Sequence, residues 1–417
     1  MPRPCAPLAL LLLSASVATA DTGDELYTLT GATPIFGLGL GSNGAALVVY
    51  DPPSIGLQTY DAPTGAPLGV VGGGPLPGVT NFYKAAISGP TAIVGAISAE
   101  VNTIVSGAAY VIDVQTGALL HTLTPDDAAS DDRFGVALDI AGDRAIVGSF
   151  RNNAGRAYIY DTATGQQLHA LDPDPGTPAP HAFGRAVAIT GDVALVAAPS
   201  ESPPAVYIFD IETGQQLGKL TRPGGLGTAL AAHADRAVIA HDSIREPALY
   251  DLSDPPNPMF ITTLTPTGPY GTLGTNTFDR TPYAIDDNAV VIGADLEQRP
   301  DGILGVAHLF DARIGSYATT LVPTDPAASR AGSSVAVSNG IAHVGSRGAV
   351  SSFDVSIVPC NAADLARPFG TLNVDDIDAL VAGFLSAELD VADCDGSGVL
   401  NVDDIDCFVA SFLAGCL

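Results

Sequence analysis

The sequence contains no tryptophan, only five cysteines and few basic residues. The cysteines are confined to the two ends. Cys5 lies in the first twenty residues, and Cys360, Cys394, Cys407 and Cys416 lie at the C-terminus. Residues 21–359 have none, so no disulfide can staple that region and it must stand on its hydrophobic core. Lys and Arg number 17 against 45 Asp and Glu, for a formal net charge of −28. Such a chain repels phosphate backbones, which argues against a nucleic-acid partner. No stretch reaches the ~18 consecutive apolar residues of a membrane-spanning helix. His-Glu-x-x-His, Gly-x-Ser-x-Gly and phosphate-loop motifs are missing, which removes the commonest signatures of metallohydrolases, serine hydrolases and nucleotide enzymes. The lack of tryptophan takes away the strongest platform for stacking on sugars, leaving tyrosine for that role.

What is present starts with a leader. Arg3, the apolar core Leu8 to Leu13 and the small residues Ala18-Thr19-Ala20 form the pattern of a secretory signal peptide over 1–20. The expected location is secreted, either extracellular or attached to the cell surface. Hydrophobic residues make up 47% of the chain, enough to build a large core rather than a disordered polymer.

An internal repeat organises the middle. Residues 134–171 and 183–220 each hold four short apolar stretches separated by turn signals, the size of one four-stranded propeller blade. Gly142-Asp143, Gly191-Asp192, Ala234-Asp235, Asp287-Asn288 and Asn339-Gly340 separate pairs of strands as tight hairpins. A second hairpin reads Asp-x-x-Thr-Gly, beginning at Asp61, Asp113, Asp161 and Asp210. Because these aspartates recur at one turn position, they are read as turn-formers and not as catalytic acids. Repeat cores start near Phe36, Phe82, Phe134, Phe183, Leu226, Asp279 and Gly332, which gives seven. The seventh stops at Val355 without a final strand, and Glu25–Thr30 has the missing pattern. The expectation is an all-β seven-bladed propeller over 21–356, its last blade completed by the N-terminal strand.

The run from Phe134-Gly135 through Gly142-Asp143 and Ala145-Ile146-Val147-Gly148 to Ala157-Tyr158-Ile159-Tyr160-Asp161 resembles the FG-GAP repeat family, which is similar to the integrin α-chain propeller. The calcium loops of the integrin kind, Asp-x-Asp-x-Asp-Gly, are absent from the sequence between these strands, so no metal is expected in the propeller. The histidines fall at scattered blade positions; His233, His241 and Asp242 could converge on one face, but lone surface or core histidines are the favoured reading.

The character changes at Pro359-Cys360. Residues 372–385 (LNVDDIDALVAGFL) recur as 400–413 (LNVDDIDCFVASFL), a duplicated element. Ile405, Phe408, Val409, Phe412 and Leu413 have helical spacing, as do Ile377, Leu380, Val381, Phe384 and Leu385, so each copy is expected to be a helix with one apolar face. Ahead of the second copy, Asp393, Asp395, Ser397, Asn401 and Asp404 place side-chain oxygens at loop positions suited to calcium, with glycine at position 396 for the sharp turn and Val399 offering its carbonyl. The first loop is irregular: Arg367, Pro368 and Phe369 interrupt it, leaving Asp364, Asn373 and Asp376 as oxygens for a second site.

This loop-helix pair resembles the dockerin module, in a Gly-Cys-terminated form found in planctomycete-type secreted proteins. The expected C-terminal unit is therefore a small all-α, EF-hand-like calcium module over 357–417. Four cysteines allow three pairings, and two disulfides are expected without a choice among them. The resemblance implies a cohesin-like protein partner, with Val374, Asp375, Val402 and Asp403 nearest the recognition surface. The resulting reading is a secreted, non-catalytic binding or adhesion protein with calcium as its cofactor. The alternative is an extracellular polysaccharide-degrading hydrolase or lyase carried by such a module.

Overall fold

A computed structural model describes residues 23–31, 39–51, 56–71, 84–150, 155–173, 182–222, 226–241, 247–267, 282–299, 302–325 and 328–355, together with Ile405. Strand β1 (Glu25–Thr30) comes first. A four-stranded antiparallel sheet follows: β2 (Leu40–Ser42), β3 (Ala46–Asp51), β4 (Gly56–Asp61) and β5 (Pro67–Val71). The next contains β6 (Lys84–Ser88), β7 (Thr91–Ala96), β10 (Ala108–Asp113) and β11 (Leu119–Leu123), with a small hairpin of β8 (Glu100–Val101) and β9 (Ile104–Val105) inserted. Then come β12 (Ala137–Ala141), β13 (Arg144–Ser149), β14 (Arg156–Asp161) and β15 (Gln167–Leu171), and after them β16 (Val187–Thr190), β17 (Val193–Ala198), β18 (Ala205–Asp210) and β19 (Gln216–Thr221). The fifth sheet is β20 (Leu230–His233), β21 (Arg236–Ile239), β22 (Ala248–Asp251) and β23 (Met259–Thr263). The last two are β24 (Tyr283–Ile285), β25 (Ala289–Gln298), β26 (Leu304–Asp311) and β27 (Tyr317–Leu321), and β28 (Ser329–Ser338), β29 (Ile341–Arg347) and β30 (Ala349–Asp354). These two are bridged by a single parallel pair, Gly305 with Ala331.

β1 lies at the opposite end of the chain from β30 yet pairs with it antiparallel, from Glu25 opposite Phe353 to Thr30 opposite Ala349. The final sheet thereby gains its fourth strand. The innermost strands pack in the cyclic order β2, β6, β12, β16, β20, β24 and β28, and β28 packs back on β2. The fold is thus all-β and propeller-like over the described part of residues 23–355.

Burial follows position in each sheet. The second strand β13 is buried along almost its whole length, because neighbouring sheets cover both of its faces, and it reads as a continuous apolar run. The outer strand β15 alternates between exposed and half-buried residues up to Leu171, as a half-solvated strand should. Hydrophobic clusters occupy the junctions between adjacent sheets. Ile93, Val111, Leu138 and Val147 fill the second junction, Ile146, Ile159, Val187 and Val196 the third, and Leu47, Val49, Ala336 and Val350 the one joining the last sheet to the first.

The two phenylalanines of the repeat wedge these junctions. Phe134 is fully buried, edge-on to Tyr158 and Tyr160 at 5.7 and 5.9 Å. Phe183 meets Tyr207 and Phe209 in the same way at 5.3 and 6.1 Å. The Asp-x-x-Thr-Gly hairpins share one bond pattern. In the third sheet Asp161 Oδ1 accepts from Thr164 N at 2.8 Å and Thr164 Oγ1 at 2.9 Å, while Gly165 N donates to the Asp161 carbonyl at 2.8 Å. Asp61, Asp113 and Asp210 do the same. The threonine donors hold the carboxyls of Asp113, Asp161 and Asp210 below the ordinary aspartate range.

Candidate functional site: the axial cavity

The innermost strands enclose a cavity of about 610 Å³, and every one of them contributes to its wall. Its mouth is at the end where the first hairpin of each sheet turns, at Gly89, Gly142, Gly191, Ala234, Asp286 and Ser338. Sequence sets these turns: Gly142 and Gly191 take positive φ (58° and 52°), and Asn339 and Gly340 both do (52° and 74°).

Polar contacts stitch one hairpin to the next around the mouth. Asn43 Nδ2 donates to the Gly89 carbonyl at 2.5 Å, and Gly142 N donates to Ser88 Oγ at 3.0 Å. Ile189 N donates to Asp139 Oδ2 at 3.0 Å, and Thr190 Oγ1 donates to the Ala234 carbonyl at 3.1 Å. His233 Nε2 lies 3.0 Å from Asp287 Oδ1. These bonds link the first six sheets in order.

Four ionisable groups line the cavity: Lys84 and Asp139, with His233 and Asp286 at the hairpin end. Lys84 opens β6 and Asp139 sits mid-strand on the adjacent β12. Lys84 is solvent-exposed at the start of its strand. Desolvation by the neighbouring strands pushes the Lys84 ammonium below the usual lysine range, with Asp139 opposing that shift. Burial likewise raises Asp139, against the pull of Lys84 and of the backbone N–H groups of Ile189 and Ile140. The chain has only two lysines. The other, Lys219, is fully engaged: its Nζ donates to Glu201 Oε1 at 2.5 Å and Tyr207 Oη at 2.7 Å, above the Tyr207 ring. Lys84 has no hydrogen-bond partner among the described residues.

His233 and His241 do not come together. His233 is in the hairpin at one end of β21 and His241 follows its other end, so the two do not converge. Asp242 lies outside the described residues. His241 is buried, 3.1 Å from Tyr250 Oη, and burial drives it down to about 4. His121 and His169, which looked scattered, occupy equivalent places. Each sits on an outer strand and reaches the Asp-x-x-Thr-Gly turn of the next sheet, with Nε2 3.0 Å from the Ala163 carbonyl and 2.9 Å from the Glu212 carbonyl. The shared stretch Leu-His-x-Leu, at Leu120–Leu123 and Leu168–Leu171, is the signal that marks them. His308 and Glu297 form a His–carboxylate pair at 2.9 Å, both buried, and Thr320 Oγ1 is 3.2 Å from the other ring nitrogen. No substrate reaches that pair, so its role is to satisfy buried polar groups.

The predicted metal ligands Asp393, Asp395, Ser397, Val399, Asn401, Asp404, Asp364, Asn373 and Asp376 lie outside the described residues. So do the four C-terminal cysteines and Val374, Asp375, Val402 and Asp403. Among the described residues, no three His, Cys, Asp or Glu side chains gather as metal ligands would.

No curated protein matches the chain. It is similar to the computationally designed Ika8 protein, at 17% identity and a TM-score of 0.51 over 80% of this chain and 100% of that one. It is also similar to the hydrazine synthase of Kuenenia stuttgartiensis, at 12% identity and a TM-score of 0.56 over 79% of this chain and 98% of that one. Likeness at such identity concerns the fold alone. The FG-GAP repeat family matches residues 120–160, the outer strand of the second sheet through β14, and so supports a repeat-built, propeller-like protein.

Proposed function

We propose that this chain is a secreted, non-catalytic binding protein in which a seven-bladed propeller, residues 21–356, presents loops to a polysaccharide or protein ligand. The cyclic packing of the seven innermost strands around one cavity is the observation that carries the reading. The FG-GAP match supports a propeller used for protein interaction. Segment 1–20 is then an export signal. Segment 357–417 is a dockerin-like module that anchors the protein to a scaffold or cell-surface partner in a calcium-dependent way. The donor set of the second loop fits that ion: Asp393, Asp395, Ser397, Asn401 and Asp404 are hard oxygen ligands, and Val399 would add a carbonyl. Calcium would neutralise carboxylates that otherwise repel one another and order the loop ahead of the second helix.

The test uses the full mature chain. In the presence of calcium it should sediment with the envelope of the producing cell. Chelator, or Asp393→Ala, should release it to the medium. Sedimentation that ignores both would defeat the anchoring role. Polysaccharide turnover abolished by one carboxylate substitution would defeat the non-catalytic reading in favour of a hydrolase or lyase.

A further inference from the structure

We propose that a crevice between the second and third sheets binds one neutral sugar ring of a polysaccharide, with the hydroxyls of Thr162 and Thr91 as its polar contacts. The inference rests on the reading of the propeller as a binding domain and names the site and the class of ligand.

The crevice has a volume of about 360 Å³. The second sheet supplies Gly89-Pro90-Thr91 from its first hairpin and Leu120 and His121 from β11, and the third supplies Gly142-Asp143, Thr162 and Ala163. Its existence has a local cause. At the next junction Arg144 Nε donates to Glu212 Oε1 at 3.1 Å, and this ion pair spans the third and fourth sheets. The equivalent residues one sheet earlier are Thr91 and Ala163. Thr91 opens β7 opposite Asp113, as Arg144 opens β13 opposite Asp161. The Ala163 carbonyl meets His121 Nε2, as the Glu212 carbonyl meets His169 Nε2. Two short side chains therefore stand where an ion pair bridges the neighbouring junction.

The third strand of every sheet ends in an aspartate, and the residue after it donates its N–H to a carbonyl of the first hairpin. In six sheets that residue is apolar and buried: Ala62, Val114, Ile211, Leu252, Ala312 and Val355. In the third sheet it is Thr162, only 4% exposed and part of the crevice wall. Its hydroxyl has no hydrogen-bond partner among the described residues, and it is not sealed from solvent. A hydroxyl at a position that is otherwise apolar, open to a crevice, offers a ligand one donor and two acceptor sites. Thr91, also without a side-chain partner among the described residues, offers the same. Pro90, Leu120 and Ala163 give the wall apolar surface, which suits the C–H face of a pyranose, and the volume is at the small end for a small-molecule site. Asp143 is the carboxylate of the wall, and the chain carries a formal charge of −28, so an anionic ligand is disfavoured. A neutral sugar ring, with one apolar face and a rim of hydroxyls, meets these conditions together.

Calorimetric titration of the mature chain would use the methyl glycosides of glucose, galactose and mannose, with D-glucuronate as the charged comparison. At least one neutral glycoside should bind, and more tightly than glucuronate. Thr162→Val restores the residue type of the other six sheets and removes one hydrogen bond to the ligand. It should weaken binding roughly three- to tenfold without lowering the melting temperature. Thr91→Arg combined with Ala163→Glu copies the ion pair of the next junction into the crevice. It should abolish binding in a chain that melts no lower than the parent. If the double variant fails to fold, Thr162→Val decides alone. No binding by the unaltered chain, a preference for glucuronate, or binding that survives the filled crevice would each overturn the proposal. So would a Thr162→Val chain that melts lower and binds unchanged, because the hydroxyl would then be structural. The two readings fail differently. A polysaccharide still held by the folded double variant leaves the propeller a binding domain and moves the site elsewhere. Turnover of a polysaccharide overturns the non-catalytic reading, and the crevice is then judged by its variants.

Discussion

A β-carbon placed on Gly148 would lie 2.0 Å from the carbonyl oxygen of Gly184, which belongs to the next sheet around the ring. The same approach recurs between Gly95 and Gly135 at 2.2 Å, and between Gly293 and Gly332 at 2.0 Å. At these junctions the glycine of the second strand meets the glycine that opens the following repeat, and backbone touches backbone. Gly148→Ala pushes two sheets apart, and no flexible side chain can yield. It should cost about 3 kcal/mol, the upper end for overpacking, measured as a lowered midpoint in urea. Gly142→Ala is the control. It has nothing within 4 Å and a φ of 58°, so only backbone strain is added, roughly 1–2 kcal/mol.

β1 should hold the ring shut. Tyr27 donates its hydroxyl to the Ala62 carbonyl and covers Gly65 in the first sheet, so β1 grips both β30 and the turn beyond it. Deleting residues 24–31 exposes the β30 edge and removes that grip. The truncated protein should melt lower and self-associate, as judged by calorimetry and light scattering. An unchanged melt would show that the pairing contributes nothing. Tyr27→Phe, which loses only the hydrogen bond, should cost about 1 kcal/mol.

Acid should destabilise the fold through buried histidine before it reaches the carboxylates. His343 is enclosed in the last sheet, its Nδ1 2.8 Å from Ser352 Oγ, and burial lowers its pKa to about 3. In the unfolded chain a histidine takes up a proton near pH 6.5. Between those two values the unfolded state binds more protons, so stability falls as pH drops from about 6.5 toward 3, by at most ~1.4 kcal/mol per pH unit for one such group. His241, lowered to about 4, adds to the slope over a narrower range. His343→Gln keeps a hydrogen-bonding side chain at that position and cannot titrate. Its melting temperature between pH 6.5 and 4 should decline less steeply than that of the parent. Below about pH 4 the turn aspartates Asp113, Asp161 and Asp210 should add a further loss, because their lowered carboxyls become protonated there.

These residues also show what the sequence discloses. Asp161-Thr-Ala-Thr-Gly165-type turns were legible because a turn is local: the aspartate bonds a residue three positions away, and recurrence argues for structure over chemistry. The second strands were legible because burial on both faces requires an unbroken apolar run. Lys84 was not. Lys-Ala-Ala-Ile-Ser reads as an edge strand with a solvated charge, and only the packing of six other inner strands puts that exposed charge on a cavity wall. The equivalence of His121 and His169 was within reach through the Leu-His-x-Leu stretch, but seven histidines taken as one set conceal two that repeat. The separation of His233 from His241 depends on strand direction: eight positions in sequence span a strand from end to end. The glycine contacts between sheets have no local signature beyond the repeat itself, because each partner lies tens of residues away.

The last prediction concerns the C-terminal loop. Asp393, Asp395, Ser397, Asn401 and Asp404 should hold one calcium ion in the full mature chain, with Val399 contributing its carbonyl. Four carboxylate or amide oxygens and a hydroxyl brought together without a cation repel or go unsatisfied, so binding and ordering of the loop should occur together. The apolar face of the helix that follows, Phe408, Val409 and Phe412, depends on that order for its packing. Calorimetry should give one site lost in both Asp393→Ala and Asp404→Ala. Chelator should lower a melting transition of this segment and leave the propeller transition in place. The four cysteines should hold the segment partly together when calcium is absent, and the unreduced mature chain should be four hydrogens lighter than the reduced chain by mass spectrometry. Two ions per chain would bring Asp364, Asn373 and Asp376 into use as a second site. Binding that survives both substitutions would place the ion elsewhere, and no binding by the unaltered chain would remove calcium from the anchoring mechanism.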